Sequence, residues 1–142
     1  MTINPFQIIC ALDFDDFSKA ENFIKFVDYD ITYKVGMEFF YRFGIDGIKK
    51  ICKIKKNIKI FLDLKLHDIP NTVGRAVYPL VFNVRPYMIT LHVAGGEKML
   101  QYAVIAATDA SKKTNIQKPL LLGVTILTSL NSNDLELSLI HI

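Results

Sequence analysis

Two lysines and three aspartates stand where apolar runs of this sequence give way to polar residues. Asp63 and Lys65 are two positions apart, a spacing that on an extended strand turns both side chains to one side. A buried carboxylate or ammonium is costly without a partner, so these two are expected to pair. Asp13 closes the run 8–12, Lys34 lies within the run 31–35, and Asp68 follows Lys65 by three positions. A plain reading of this set is a structural ion-pair network. The functional reading is an anion-binding site of alternating charge, with Lys34 and Lys65 held between Asp13, Asp63 and Asp68. His92 ends a further run, and Thr128 and Ser129 follow the last one. For His92 the default is packing or support rather than chemistry.

Positioning such a set falls to a regular alternation of elements. Apolar runs at 8–12, 31–35, 58–64, 87–92 and 120–127 read as strands, the first a continuous run suited to burial on both faces. Helical periodicity marks 17–27, 44–56, 72–82 and 97–110, with Phe17, Ala20, Phe23, Ile24 and Val27 forming one stripe. The order β-α-β-α-β-α-β-α-β with short connections predicts a parallel sheet with right-handed crossovers in a single domain. Two architectures fit. An open doubly wound sheet of five strands is complete at 142 residues, whereas a (β/α)₈ barrel takes about 200 residues or more. Both gather ligands at the carboxyl ends of the strands, where the polar residues above are found.

Composition narrows the function classes. Hydrophobic residues make up 51% and charged residues 22%, which excludes disordered, collagen-like and disulfide-scaffold chains. No apolar run reaches the about 18 residues of a membrane span, and residues 1–5 carry neither a basic region nor a cleavage site. The expectation is a cytoplasmic protein with no membrane partner. Cys10 and Cys52 lack C-x-x-C spacing and read as reduced residues in or near the core. A net charge of +3 does not by itself imply nucleic acid. The lysines at 49, 50, 53, 55, 56 and 59 have no interleaved aromatics, so they read as a solvated helix face.

The pattern D-x-K-x-x-D arises by chance in a chain of this length about 3% of the time, so the triplet alone decides little. Its continuation, His67-Asp68-Ile69-Pro70-Asn71-Thr72, decides more. With Ala11-Leu12-Asp13, Tyr33-Lys34-Val35-Gly36, the string from Phe61 to Thr72, Leu91-His92-Val93-Ala94-Gly95-Gly96 and the string from Gly123 to Leu130, five motifs fall in order on five successive strands. From about residue 8 to 134 the chain resembles the orotidine 5′-phosphate decarboxylases. That resemblance implies an α/β fold, a partial (β/α)₈ barrel with strands one to five and helices one to four, and it overrides the preference for an open sheet. It also implies decarboxylation of orotidine 5′-phosphate to UMP without cofactor or metal, in a homodimer. By the same resemblance Lys65 is the proton donor, Asp63 lies beside the substrate carboxylate, and Lys34 belongs to the charge array near the ribose. Asp13 and Thr128 contact the nucleotide, while Asp68, Ile69 and Thr72 ride on a loop that reaches the neighbouring subunit's site. Leu64, Leu66, His67, Pro70 and Asn71 complete the implied substrate-binding segment.

A full member of that family continues with a fifth helix, three more strands, a Gln-containing loop and a Gly-Arg phosphate grip, none of which is found in these 142 residues. Residues 131–136 read as a helix N-terminus. Residues 137–142 depart from the family's pattern and read as the in-frame translation of a transposase-library adapter. Residues 1–136 are thus expected to be the amino-terminal part of one barrel domain, inactive and aggregation-prone as it stands. Three alternatives compete with this reading. Sugar-phosphate decarboxylases or synthases of the same superfamily share D-x-K-x-x-D but use Mg²⁺, and the continuation through Thr72 speaks against them. A phosphoacceptor receiver module requires a lysine after its fifth strand, whereas Lys118 precedes that run. A non-catalytic remnant is the third.

Overall fold

A computed structural model describes residues 8–139, with side chains through residue 136. The readings of residues 1–5 and of 140–142 fall outside the described residues, as do the side chains of 137–139. Five units follow one another: β1 (Ile9–Ala11), α1 (Phe17–Phe26), β2 (Thr32–Gly36), α2 (Met37–Ile51), β3 (Lys59–Leu66), α3 (Pro70–Val84), β4 (Met88–His92), α4 (Gly96–Thr114), β5 (Leu120–Val124) and α5 (Ser132–Leu139). A single 3₁₀ turn, Val93–Gly95, joins β4 to α4.

The strands are all parallel and hydrogen-bond in the order β1-β2-β3-β4-β5. This order separates the two architectures left open above. A doubly wound sheet reverses direction partway and places β1 inside the sheet. Here each strand joins the next without reversal, so right-handed crossovers leave every helix on one face. The arrangement is that of consecutive units of a barrel wall.

The core lies between sheet and helices. Leu12, Val35, Leu62 and Ile89 project from the strands, and Ile24, Phe39, Ile48, Val77, Val81 and Met99 meet them from the helices, all essentially solvent-free. Helices α3 and α4 approach closely because Ala103, Ala107 and Ala110 are small and buried. A Cβ on Gly74 would come 3.5 Å from the Tyr102 carbonyl oxygen, ordinary contact across the same seam.

Several elements differ from the periodicity reading. Helix α2 begins at Met37 instead of 44, because Phe39 and Phe43 pack on Phe17 and draw residues 37–43 into a helix. Gly44 then breaks the helix at φ 59°, ψ −163°, a conformation open essentially to glycine. The helix ends at Ile51, and residues 52–57 form turns. The lysines there are not simply a solvated face: Lys55 donates to the Val27 carbonyl, Lys49 to Asn83, and Lys50 lies over the Phe17 ring. Helix α5 is present where the pattern gave only an N-terminus, with Asp134 N–H donating to Asn131 Oδ1 and Asn131 N–H to Asp134 Oδ2 as reciprocal caps.

The sheet face away from the helices carries apolar side chains in solvent at both edge strands. Ile9 is 47%, Leu120 49% and Leu122 37% exposed. Unpaired strand edges with apolar side chains are templates for association. The 142-residue chain is therefore expected to sediment as oligomers or aggregates, and Leu122→Lys to shift it toward monomer. A monodisperse wild-type monomer in analytical ultracentrifugation would contradict this.

Candidate active site

The parallel register aligns the carboxyl ends of β1, β2 and β3, with Ala11 beside Lys34 and Gly36 beside Asp63. From these ends four side chains form a row of alternating charge. Lys34 Nζ lies 3.9 Å from Asp13 Oδ1 and 3.6 Å from Asp63 Oδ2, and Lys65 Nζ donates to Asp63 Oδ1 at 2.9 Å. The inner three members are partly shielded, whereas the Asp13 side chain is largely in solvent. Gly36 borders this row: a Cβ there would make ordinary contacts, 3.7 Å from Asp13 Oδ1 and 3.8 Å from Lys34 Nζ.

The pairing of Asp63 with Lys65 does not come from a regular strand. Leu62 pairs with Ile89 and Leu66 with Leu91, so four steps on β3 cover two on β4 and the strand bulges between them. Lys65 sits in the bulge at φ 46°, a left-handed backbone that costs a non-glycine residue about 1–3 kcal/mol. Thr90 on β4 holds the bulge in place. Its hydroxyl accepts from the Lys65 amide at 2.8 Å and donates to Asp63 Oδ1 at 3.1 Å. Thr90 is a site residue the sequence reading missed. The available signal was a lone hydroxyl in an otherwise apolar strand, buried to 4% exposure.

Burial tends to raise the Asp63 carboxyl's pKa, but it is outweighed. Hydrogen bonds from Lys65 and Thr90, with the charges of Lys65 and Lys34, hold the group below the ordinary carboxylate value. The arrangement therefore keeps an anion between two cations in a shielded place. The thiols behave in the opposite way: burial pushes both Cys10, with Asp13 adding to the effect, and Cys52 up and away from thiolate, which suits inert residues.

The remaining candidates are spread around this row. Thr128 is exposed and lines a hollow of about 380 Å³ together with Lys65, Met37 and Ser129. Asp68 stands apart from the row, and its carboxylate accepts from the Ile69 amide at 2.6 Å. Within this chain it does not flank Lys65 as the spacing suggested; it is exposed on the loop that leads into α3. Ile69 is 66% exposed, and Pro70, Asn71 and Thr72 form the first turn of α3. Leu64 is turned into the core and Leu66 packs against it, so neither reaches the row; they set the spacing of Asp63 and Lys65. His67 and His92 stack at 5.0 Å, and His92 Nδ1 accepts from the Ala94 amide at 3.3 Å, the supporting place expected of His92.

Because its native pKa is depressed, Asp63 contributes stability that is present above its unfolded value and lost as pH falls through the native one. A carboxyl-detected NMR titration is expected to place Asp63 below its ordinary value of 3.8. Lys65→Met removes a hydrogen bond and a charge, so it should move that midpoint upward. An unchanged midpoint would show that the pair is not coupled.

The chain is similar to known proteins in both sequence and fold. Residues 7–140 match the model of the Orotidine 5′-phosphate decarboxylase / HUMPS family. A protein of Carboxydothermus hydrogenoformans named orotidine 5′-phosphate decarboxylase is 42% identical over 134 residues, covering 92% of this chain and 53% of its own length. A protein of the same name from Wolbachia sp. subsp. Brugia malayi is 41% identical over 136 residues, covering 94% and 55%. The crystal structure of orotidine 5′-phosphate decarboxylase from Lactobacillus acidophilus matches with a TM-score of 0.81 at 37% identity, over 91% of this chain and 57% of that one. The chain spans about half the length of the curated relatives it matches. With the family model matched over nearly the whole length, this chain belongs to the orotidine 5′-phosphate decarboxylase / HUMPS family.

Proposed function

We propose that the protein to which these residues belong works in the cytoplasm, converting orotidine 5′-phosphate to UMP without a cofactor. The observation that carries this reading is the row Asp13–Lys34–Asp63–Lys65. In this reaction the bond from C6 of the pyrimidine to its carboxylate breaks and CO₂ leaves. The electron pair stays on C6, with no neighbouring group to delocalise it. An ammonium about 4 Å from a unit negative charge contributes on the order of 4 kcal/mol at an effective dielectric of about 20, which is more than two decades of rate. Lys65 supplies that charge as the pair develops and then gives its proton to C6. Asp63 keeps Lys65 charged and oriented and crowds the departing carboxylate. Lys34, Asp13 and Thr128 position the nucleotide, and binding energy from the remote phosphate adds to the effect.

The family's description also covers HUMPS proteins. The relatives described above that match this chain at about 40% identity carry the decarboxylase name, and they favour the pyrimidine substrate over a sugar phosphate.

A homodimer is part of the same proposal. Asp68, Ile69 and Thr72 are turned outward, and α3 and α4 present Tyr78, Phe82, Tyr102 and Ile105 to solvent, each 38–57% exposed. A second subunit seated there would cover this apolar surface and receive the Asp68 loop in its own site.

The test completes the chain with the carboxyl-terminal portion of a relative and measures CO₂ release. Lys65→Ala is expected to lower kcat by more than about two decades, and undiminished turnover would overturn the assignment. Separately inactive Lys65→Ala and Asp68→Ala proteins, unfolded and reassembled together, should recover about a quarter of wild-type activity, since half the dimers then hold one intact site of two. No recovery would mean that Asp68 acts within its own subunit.

A further inference from the structure

The amino-terminal end of the sheet, opposite the charge row, holds a second cavity of about 320 Å³. It is formed where three consecutive strands begin, between the segments leading into β3, β4 and β5. Lys59, Arg85 and Lys118 line it, and none of its lining residues is acidic. The ammonium of Lys59 lies 4.5 Å from the Tyr87 ring centre. Among the described residues, the side chains of Arg85 and Lys118 form no ion pair. Three cations lining one hollow with no acid among its lining give it a positive potential that attracts anions.

Arg85 supplies an independent sign. It caps α3 in the left-handed conformation, at φ 54° and ψ 53°, directly before Pro86. Glycine or asparagine is the usual occupant of such a cap, and Asn115 fills the equivalent place after α4. An arginine there accepts backbone strain that glycine would avoid, although its charge suits the helix C-terminus. Pro86 and Pro119 are buried and stiffen the backbone of the two loops that carry Arg85 and Lys118.

We propose that this cavity is a second ligand site, separate from the charge row, for a small anion carrying two or more phosphate charges. Arg85 offers planar paired donors to phosphate oxygens, and Lys59 and Lys118 add point charges on either side. The anion would be either an inorganic polyphosphate or the phosphate portion of a nucleotide.

Equilibrium dialysis of the 142-residue chain against labelled pyrophosphate, at physiological ionic strength, tests this and reads bound anion whatever the chain's state of association. Pyrophosphate is expected to bind, and the Arg85→Gln/Lys118→Gln double variant to bind about tenfold more weakly. A Lys49→Gln/Lys53→Gln control, which removes the same charge elsewhere, should change affinity by less than about twofold. Circular dichroism checks that the double variant folds; should it not, Lys118→Gln alone, in an exposed loop, must still weaken binding. Tighter binding of a nucleoside diphosphate, dependent on the same two residues, would identify the nucleotide as the ligand. No binding by the wild-type chain, or an equal loss in the control, would overturn the proposal.

Discussion

One carboxylate organises the carboxyl end of this sheet. Asp63 accepts hydrogen bonds from Lys65 and Thr90 on one oxygen and faces Lys34 across 3.6 Å on the other. Its side chain is only 16% exposed, so removing any of these partners would leave an under-compensated charge in a shielded place. Because its partners come from β2, from β3 itself and from β4, the same contacts tie three strands together at the end where the site lies.

Holding that carboxylate requires an irregular strand. A regular β3 would keep pace with β4, and Lys65 would then occupy ordinary extended backbone. The bulge instead places Lys65 at φ 46° with its amide on Thr90. The strain is concentrated at the residue proposed to transfer the proton, while the surrounding hydrogen bonds and core hold it there. Pre-organisation of this kind suits a reaction in which charge on the protein, and no cofactor, is to stabilise the developing anion.

The two ends of the sheet differ in electrostatic character. At the carboxyl end, cations and anions alternate and largely neutralise one another, leaving a local field shaped for one reacting group. At the amino end, cations line a hollow without acids. Among barrel proteins the first end is the usual place for chemistry and the second for stability. The second end here is distinguished by its positive charge.

Much of the fold was legible because it depends on local patterns. Apolar runs located all five strands, and polar residues at their ends marked Asp13, Lys34, Asp63 and Lys65 before any contact was visible. The recurrence of five motifs in order placed the chain in its family and favoured a barrel over an open sheet. Residues 37–43 escaped because their helix depends on Phe39 and Phe43 meeting Phe17, a contact between distant segments. Thr90 escaped because one threonine in an apolar strand has no periodic signal. Asp68 was grouped with the lysines by spacing, yet a turn of the chain carries it outward. The amino-acid sequence by itself thus determined which residues could bear charge and which strands would carry them. Tertiary structure alone decided the bulge and the hydroxyl that closes the network, because each arises from the register between neighbouring strands, and register is set by packing across the whole sheet.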